Sequence, residues 1–275
     1  MATLFAAVVL MGLAVVLSRA IQAAVAGRFG WWAVPLLTGW IGVPVHEGAH
    51  LLAARLLGRR VASVQWFAPD PQTGTLGRVV WEPGRGPLAW LAGPVVAVAP
   101  LAVGALLLGG LARLAGVTAL DAAVDPLMAA QDWPALQGAV AAAGLALWAD
   151  VRHSWDGGPW TSAATVAWLW LTVAIAAHMA PSAEDWRPAW PGLLLGGTVG
   201  AAAIAGLEHA HVPALSVSVR TAGWLAGHLL PGLLLGCLAL AASGVLSALV
   251  AVTCRSVAPR ARPPQSAAGR PARAA

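Results

Sequence analysis

The sequence predicts an all-α polytopic membrane protein of about six transmembrane helices, with a small cytoplasmic β-hairpin between the second and third. Composition, the spacing of apolar segments and the placement of arginine carry that prediction. Of 275 residues, 59% are hydrophobic and 10% charged, and the mean hydropathy is +0.75. A soluble domain carries about a quarter charged residues, so a water-soluble globule is excluded, and the apolar content excludes disorder. The pI of about 11.2 comes from arginines at segment edges and in the tail. That distribution fits a membrane surface and no nucleic-acid partner. Two cysteines, Cys237 and Cys254, cannot make a disulfide framework.

A bilayer core needs roughly 20 apolar residues per helix, which gives spans at 4–26, 32–57, 87–114, 162–180, 191–207 and 221–252. The first lacks a basic leader and reads as a retained helix. A shorter apolar run at 136–149 reads as an interfacial or re-entrant helix. The 58–86 connection holds Arg59, Arg60, Arg78 and Arg85, and the tail holds five more arginines. The 115–161 connection is acidic, with Asp121, Asp125, Asp132, Asp150 and Asp156. Positive charge inside then puts both termini in the cytoplasm, as in a multi-pass plasma-membrane protein, expected to be bacterial. Trp31, Trp32, Trp155, Trp160, Trp186 and Trp190 fall where interface anchors sit. Residues 1–254 make one transmembrane domain. The Arg-, Pro- and Ala-rich 255–275 is expected to be a disordered cytoplasmic tail.

Between the second and third spans, Val61-Ala-Ser-Val-Gln-Trp-Phe67 and Arg78-Val-Val-Trp81 flank a turn-rich Pro69-Asp70-Pro71-Gln72-Thr73-Gly74. Two β-favouring runs around such a turn read as a hairpin.

Inside the second span the chain reads Val45-His46-Glu47-Gly48-Ala49-His50-Leu51. Residues i and i+4 share a helix face, so both imidazoles can reach one tetrahedral Zn²⁺, with Glu47 placed to activate a water. With seven His and four Glu in the chain, chance supplies only about 0.003 such H-E-x-x-H matches. Three polar side chains at membrane depth are also expensive without a purpose. If the helix leaves the bilayer near Arg55, His50 lies ~8 Å and His46 ~14 Å inside.

Such a zinc needs a third protein ligand. Glu208, His209, His211 and His153 fall on the outer side, and His228 lies in the outer half of the last span. The cytoplasmic turn His178-Met-Ala-Pro181-Ser182-Ala-Glu184-Asp185-Trp186 offers Asp185 first, with Glu184 and His178 in reserve. Ser182-x-x-Asp185 is equally a capping box opening the fifth helix. Both roles stand at this point. His178 either supports the site through a hydrogen bond or sits at the membrane edge.

The order of these features resembles the site-2 protease (M50) group of intramembrane metalloproteases. The resemblance runs over about 32–207: His46, Glu47 and His50 in a membrane helix, the hairpin at 61–82, Gly93-Pro94 opening the next span, and a later Asp at Asp185. Two positions depart from the group: Ala97 stands where an Asn is common, and Glu184-Asp185-Trp186 replaces a Leu-Asp-Gly context. The resemblance implies a zinc metalloendopeptidase with ligands His46, His50 and Asp185 and Glu47 as catalytic base and acid. Its partner would be a membrane-protein substrate cleaved in or near a transmembrane segment. A transporter or sensor that binds metal is the alternative from another class, and an inactive protease-like scaffold is the other. A transporter predicts polar residues on several spans, whereas here they gather at one place.

Overall fold

The apolar segments fold as helices packed side by side, broken where proline or a change of pattern requires it. The computed structural model describes residues 2–82, 84, 89–117, 125–126, 133–156, 162–211, 232–245 and 248. In chain order these give α1 (Ala2–Phe29), a π-helical turn (Pro35–Gly39) running directly into α2 (Trp40–Leu56), β1 (Val61–Gln65), β2 (Arg78–Trp81) and α3 (Ala89–Leu114). They continue with α4 (Trp133–Trp155), α5 (Ser162–His178), the single turn α6 (Ala183–Trp186), α7 (Trp190–His209) and α8 (Gly232–Val245). The tail 255–275, the start of the expected sixth span and His228 lie outside the described residues.

Four described stretches are long and apolar enough to cross a bilayer: Val9–Phe29, Ala89–Leu114, Pro134–His153 and Trp190–His209. The third corrects the expectation of a short run at 136–149. The helix runs through Asp150 and Arg152, both in its last turns, and Arg152 pairs with Asp156 just beyond its end.

Glycine sets how closely the helices around the site approach. A Cβ at Gly42 of α2 would stand 2.3 Å from the Ala174 carbonyl of α5, and one at Gly192 of α7 would stand 1.9 Å from the Trp90 carbonyl of α3. Gly93 meets the Pro188 carbonyl in the same way. The Gly93-Pro94 pair therefore serves close helix contact through small residues. Ala49, Ala53 and Ala54 of α2 pack on Val96 and Ala99 of α3. Gly42→Val is expected to force α2 and α5 apart, costing about 1–3 kcal/mol as overpacking does. A lowered midpoint in detergent unfolding is the check, and an unchanged midpoint would contradict the packing.

The hairpin forms where the sequence predicts it, with β1 and β2 antiparallel and a bulge in β1 between Val61 and Ser63. Its arms continue the pairing through Ala68 N–H to the Leu76 carbonyl and Asp70 N–H to the Thr75 carbonyl. Asp70 closes the turn by accepting from the Gln72 amide and the Thr73 hydroxyl, which hold its carboxyl below the ordinary value. Gly74 supplies the left-handed residue at φ +74°. The hairpin folds back along α2 instead of extending away from it. Trp66 packs at Gly48, Phe67 at Gly39, and Gly77 against Val43 and Glu47. Gly77 matters here: any side chain would strike α2 and lift the strand away from Glu47.

Candidate metal centre

Three prolines prepare the site by withdrawing backbone donors. A proline has no N–H, so the carbonyl four residues earlier in a helix is left without its usual partner. Pro100 in α3 thus frees the Val96 carbonyl, and that carbonyl lies 2.8 Å from His50 Nδ1. Pro181 cannot donate to Ala177, and α5 ends at His178. Pro94 likewise frees the Trp90 carbonyl, against which Gly192 packs.

The end of α5 prepares the second histidine. Continued helix would tie the Ser182 N–H to the His178 carbonyl, but Ser182 instead opens α6. Its N–H donates to Asp185 Oδ2 at 2.5 Å, and its hydroxyl accepts from the Asp185 N–H at 3.2 Å, the reciprocal capping box. The His178 carbonyl is thereby released and lies 2.6 Å from His46 Nδ1.

Both imidazoles consequently spend their Nδ1–H on a backbone carbonyl, which fixes ring orientation and tautomer. Their Nε2 atoms then converge. His46 Nε2 and His50 Nε2 are 3.0 Å apart, Asp185 Oδ1 is 3.1 Å from His50 Nε2, and Asp185 Oδ2 is 3.5 Å from His46 Nε2. One ligand atom from each residue falls within 4.8 Å of the others. Three acceptors aimed at one point repel unless a cation lies between them, and two imidazoles plus a carboxylate suit a divalent metal.

The two roles that the sequence left open for Asp185 are therefore compatible. Oδ2 is anchored by the cap, which turns Oδ1 towards His50. Neither reserve ligand joins the cluster. Glu184 lines the same cavity without entering the triad. The His178 ring lies on the Thr38 hydroxyl at 3.0 Å, against Gly42, so this residue serves the site through its carbonyl.

Glu47 lies one residue along from His46, is 7% exposed, and accepts the Val79 backbone N–H of β2. It borders a cavity of about 520 Å³ shared with His46, His50 and Asp185. Gly77 and the whole of β2, Arg78 to Trp81, also line it. Because the Val79 N–H points to Glu47 while the Glu82 N–H pairs with the Arg60 carbonyl, alternation turns the N–H and C=O of Val79 and Trp81 away from β1. The sheet has two strands among the described residues, so this edge of β2 borders the cavity without a strand partner.

Sequence reasoning missed Val96, Val79 and the α1 donors described below. Pro100 inside an apolar span was the available signal for the first. No family model matches the chain, and neither a curated protein nor a solved structure matches it at a significant level.

Proposed function

We propose that the protein is an intramembrane zinc metalloprotease, similar to the site-2 protease group, that hydrolyses a peptide bond in or near a transmembrane segment of another membrane protein. The observation that carries this reading is the convergence of His46 Nε2, His50 Nε2 and Asp185 Oδ1 beside a buried glutamate and a strand edge, all on one cavity. A transport path would string ionisable groups across the bundle. Among the described residues the buried carboxylate and imidazole groups, Glu47, His50 and His178, lie around a single centre.

His46, His50 and Asp185 would hold the ion. Zinc supplies Lewis acidity there, lowering the pKa of a water and polarising a carbonyl. Glu47 takes the proton as the water oxygen adds to the carbonyl carbon, and returns it to the leaving nitrogen when the C–N bond breaks. The Val79 N–H holds the Glu47 carboxylate in place for both transfers. A helical substrate hides its carbonyls, so it must unwind. An extended segment pairing with the outward edge of β2 would present a carbonyl next to Glu47.

An α4 that stays on one side of the bilayer belongs to the same proposal. The Trp168 ring N–H reaches the Leu111 carbonyl, Met179 packs at Gly104 and Pro188 at Gly93, so α5 and its extension run antiparallel to α3. The start of α5 thus lies at the end of the bundle where α3 finishes. This supports a re-entrant or interfacial α4, since a crossing there would deliver the chain to the wrong side.

The test is purified protein in liposomes with a panel of single-span fusion proteins. Cleavage abolished by a chelator and restored by zinc supports the reading, and a panel left intact by metal-loaded protein opposes it. Within that assay, Trp81→Pro removes an N–H that the β1 ladder does not use. Relative to Trp81→Ala it is expected to slow cleavage roughly 2–10-fold, the worth of about one hydrogen bond. Equal rates for the two variants would count against strand pairing at this edge.

A further inference from the structure

α1 lies outside the segment that bears the metal-ligand motif, yet it carries Ser18, Arg19 and Gln22 in the middle of an apolar helix. Such residues need a reason at that depth. Their partners are the carbonyls freed at the end of α5. Ser18 Oγ and Gln22 Nε2, one helical turn apart on one face, both donate to the Ala177 carbonyl at 2.5 Å. This is the carbonyl that Pro181 leaves without a helical donor. Arg19 donates to the Pro181 carbonyl at 2.8 Å. Between them, the His178 carbonyl accepts the hydrogen bond of His46 Nδ1–H. The chain from 177 to 181 is therefore gripped by α1 on one side and α2 on the other, and Asp185 follows four residues later. Ser18 is 1% exposed, and Gln22 reaches the cavity wall.

We infer that Ser18, Arg19 and Gln22 are positioning residues that hold the Ala177–Pro181 backbone and thereby set Asp185 against His46 and His50. The inference rests on the metal-site reading above. It makes affinity for the ion a property of α1 as well as of the three ligands, although no α1 side chain touches the ion.

The experiment uses the full chain in detergent, ¹⁵N-labelled at histidine and stripped of metal by chelator. The ring nitrogens of His46 and His50 sense the Asp185 carboxylate directly. Arg19→Ala and the Ser18→Ala/Gln22→Ala pair are expected to move those signals towards their positions in Asp185→Ala, while Arg19→Lys and Ser18→Thr, which keep a donor, restore them. Cobalt(II) is then titrated as a spectroscopic probe. Its dissociation constant is expected to rise roughly 10-fold in the α1 variants, the lower bound for loss of a supporting contact, and to show no further rise when the same changes are made in Asp185→Ala. Unmoved imidazole signals in folded Arg19→Ala would overturn the inference, as would an equal loss of cobalt affinity with and without Asp185. Arg19 is exposed, so its replacement leaves packing intact even where the buried pair fails to fold. A wild-type chain that takes up no cobalt would refute the metal reading, and the imidazole signals would still decide this one.

Discussion

His50→Ala and Asp185→Asn are each expected to strip the bound metal from the purified protein, leaving less than a tenth of the wild-type content. Structural zinc sites contribute roughly 10–16 kcal/mol in total, so losing one ligand in three weakens binding on the order of 10³-fold. The asparagine variant is the informative one. Asparagine at this third helical position keeps a side-chain carbonyl, so it can still accept the Ser182 N–H that Asp185 Oδ2 now accepts and preserve the reciprocal cap. The α6 turn and the released His178 carbonyl should both survive, and only the anionic ligand is lost. Ser182→Ala makes the reverse change, keeping the carboxylate while removing half of the cap at about 1 kcal/mol. It should bind metal more weakly than wild type and more tightly than Asp185→Asn. Metal content by mass spectrometry, with affinity by chelator competition, separates the three. Full retention in Asp185→Asn would make this residue a cap alone and remove it from the ligand set.

The candidate ligands were legible in the sequence because the patterns that mark them are local. His46, Glu47 and His50 lie within one helical turn and a little more, and a capping box is a four-residue pattern. The hairpin at 61–82 was legible for the same reason, being two β-favouring runs around an Asp-Pro-x-x-Gly turn. Its docking was not, since that depends on Gly39, Gly48 and Gly77 leaving room for close approach, and a glycine in an apolar span has many possible uses. The length of α4 was underestimated, since the helix runs from Trp133 to Trp155 and so extends past the apolar run at both ends.

What remained hidden in the sequence is the network of carbonyls. Pro100 and Pro181 were visible as residues, but their effect is to free acceptors on other residues, at Val96 and Ala177. Those acceptors matter only because His50 from α2, and Ser18 and Gln22 from α1, arrive there in three dimensions. In an apolar medium a carbonyl without a donor is costly, so each proline creates a demand that a neighbouring helix must meet. At His50 the donor is a candidate metal ligand, and at Ala177 the donors come from α1. Helix breaking thus becomes a means of fixing imidazole tautomers and the path of the chain towards Asp185.

Glu47→Gln is expected to leave metal content at the wild-type level while reducing peptide-bond hydrolysis roughly 10²–10⁴-fold, the range for loss of a positioned general base and acid. The first half follows from geometry. Glu47 lies outside the triad of ligand atoms, and the glutamine carbonyl can accept the Val79 N–H in place of the carboxylate. The hairpin should therefore stay docked against α2. Glu47→Ala would orphan that N–H in a buried position and disturb the strand, confusing a chemical loss with a structural one. The second half follows from proton transfer, because an amide can neither take the proton from water nor return one to the leaving nitrogen. The isosteric variant should still bind substrate, so a substrate co-purifying with Glu47→Gln and absent from His50→Ala preparations would identify what the protein cleaves. Cleavage at the wild-type rate by metal-loaded Glu47→Gln would remove Glu47 from the chemistry. Metal lost together with activity would instead make Glu47 a fourth ligand, closing the position that an attacking water requires and favouring a binding role for the site.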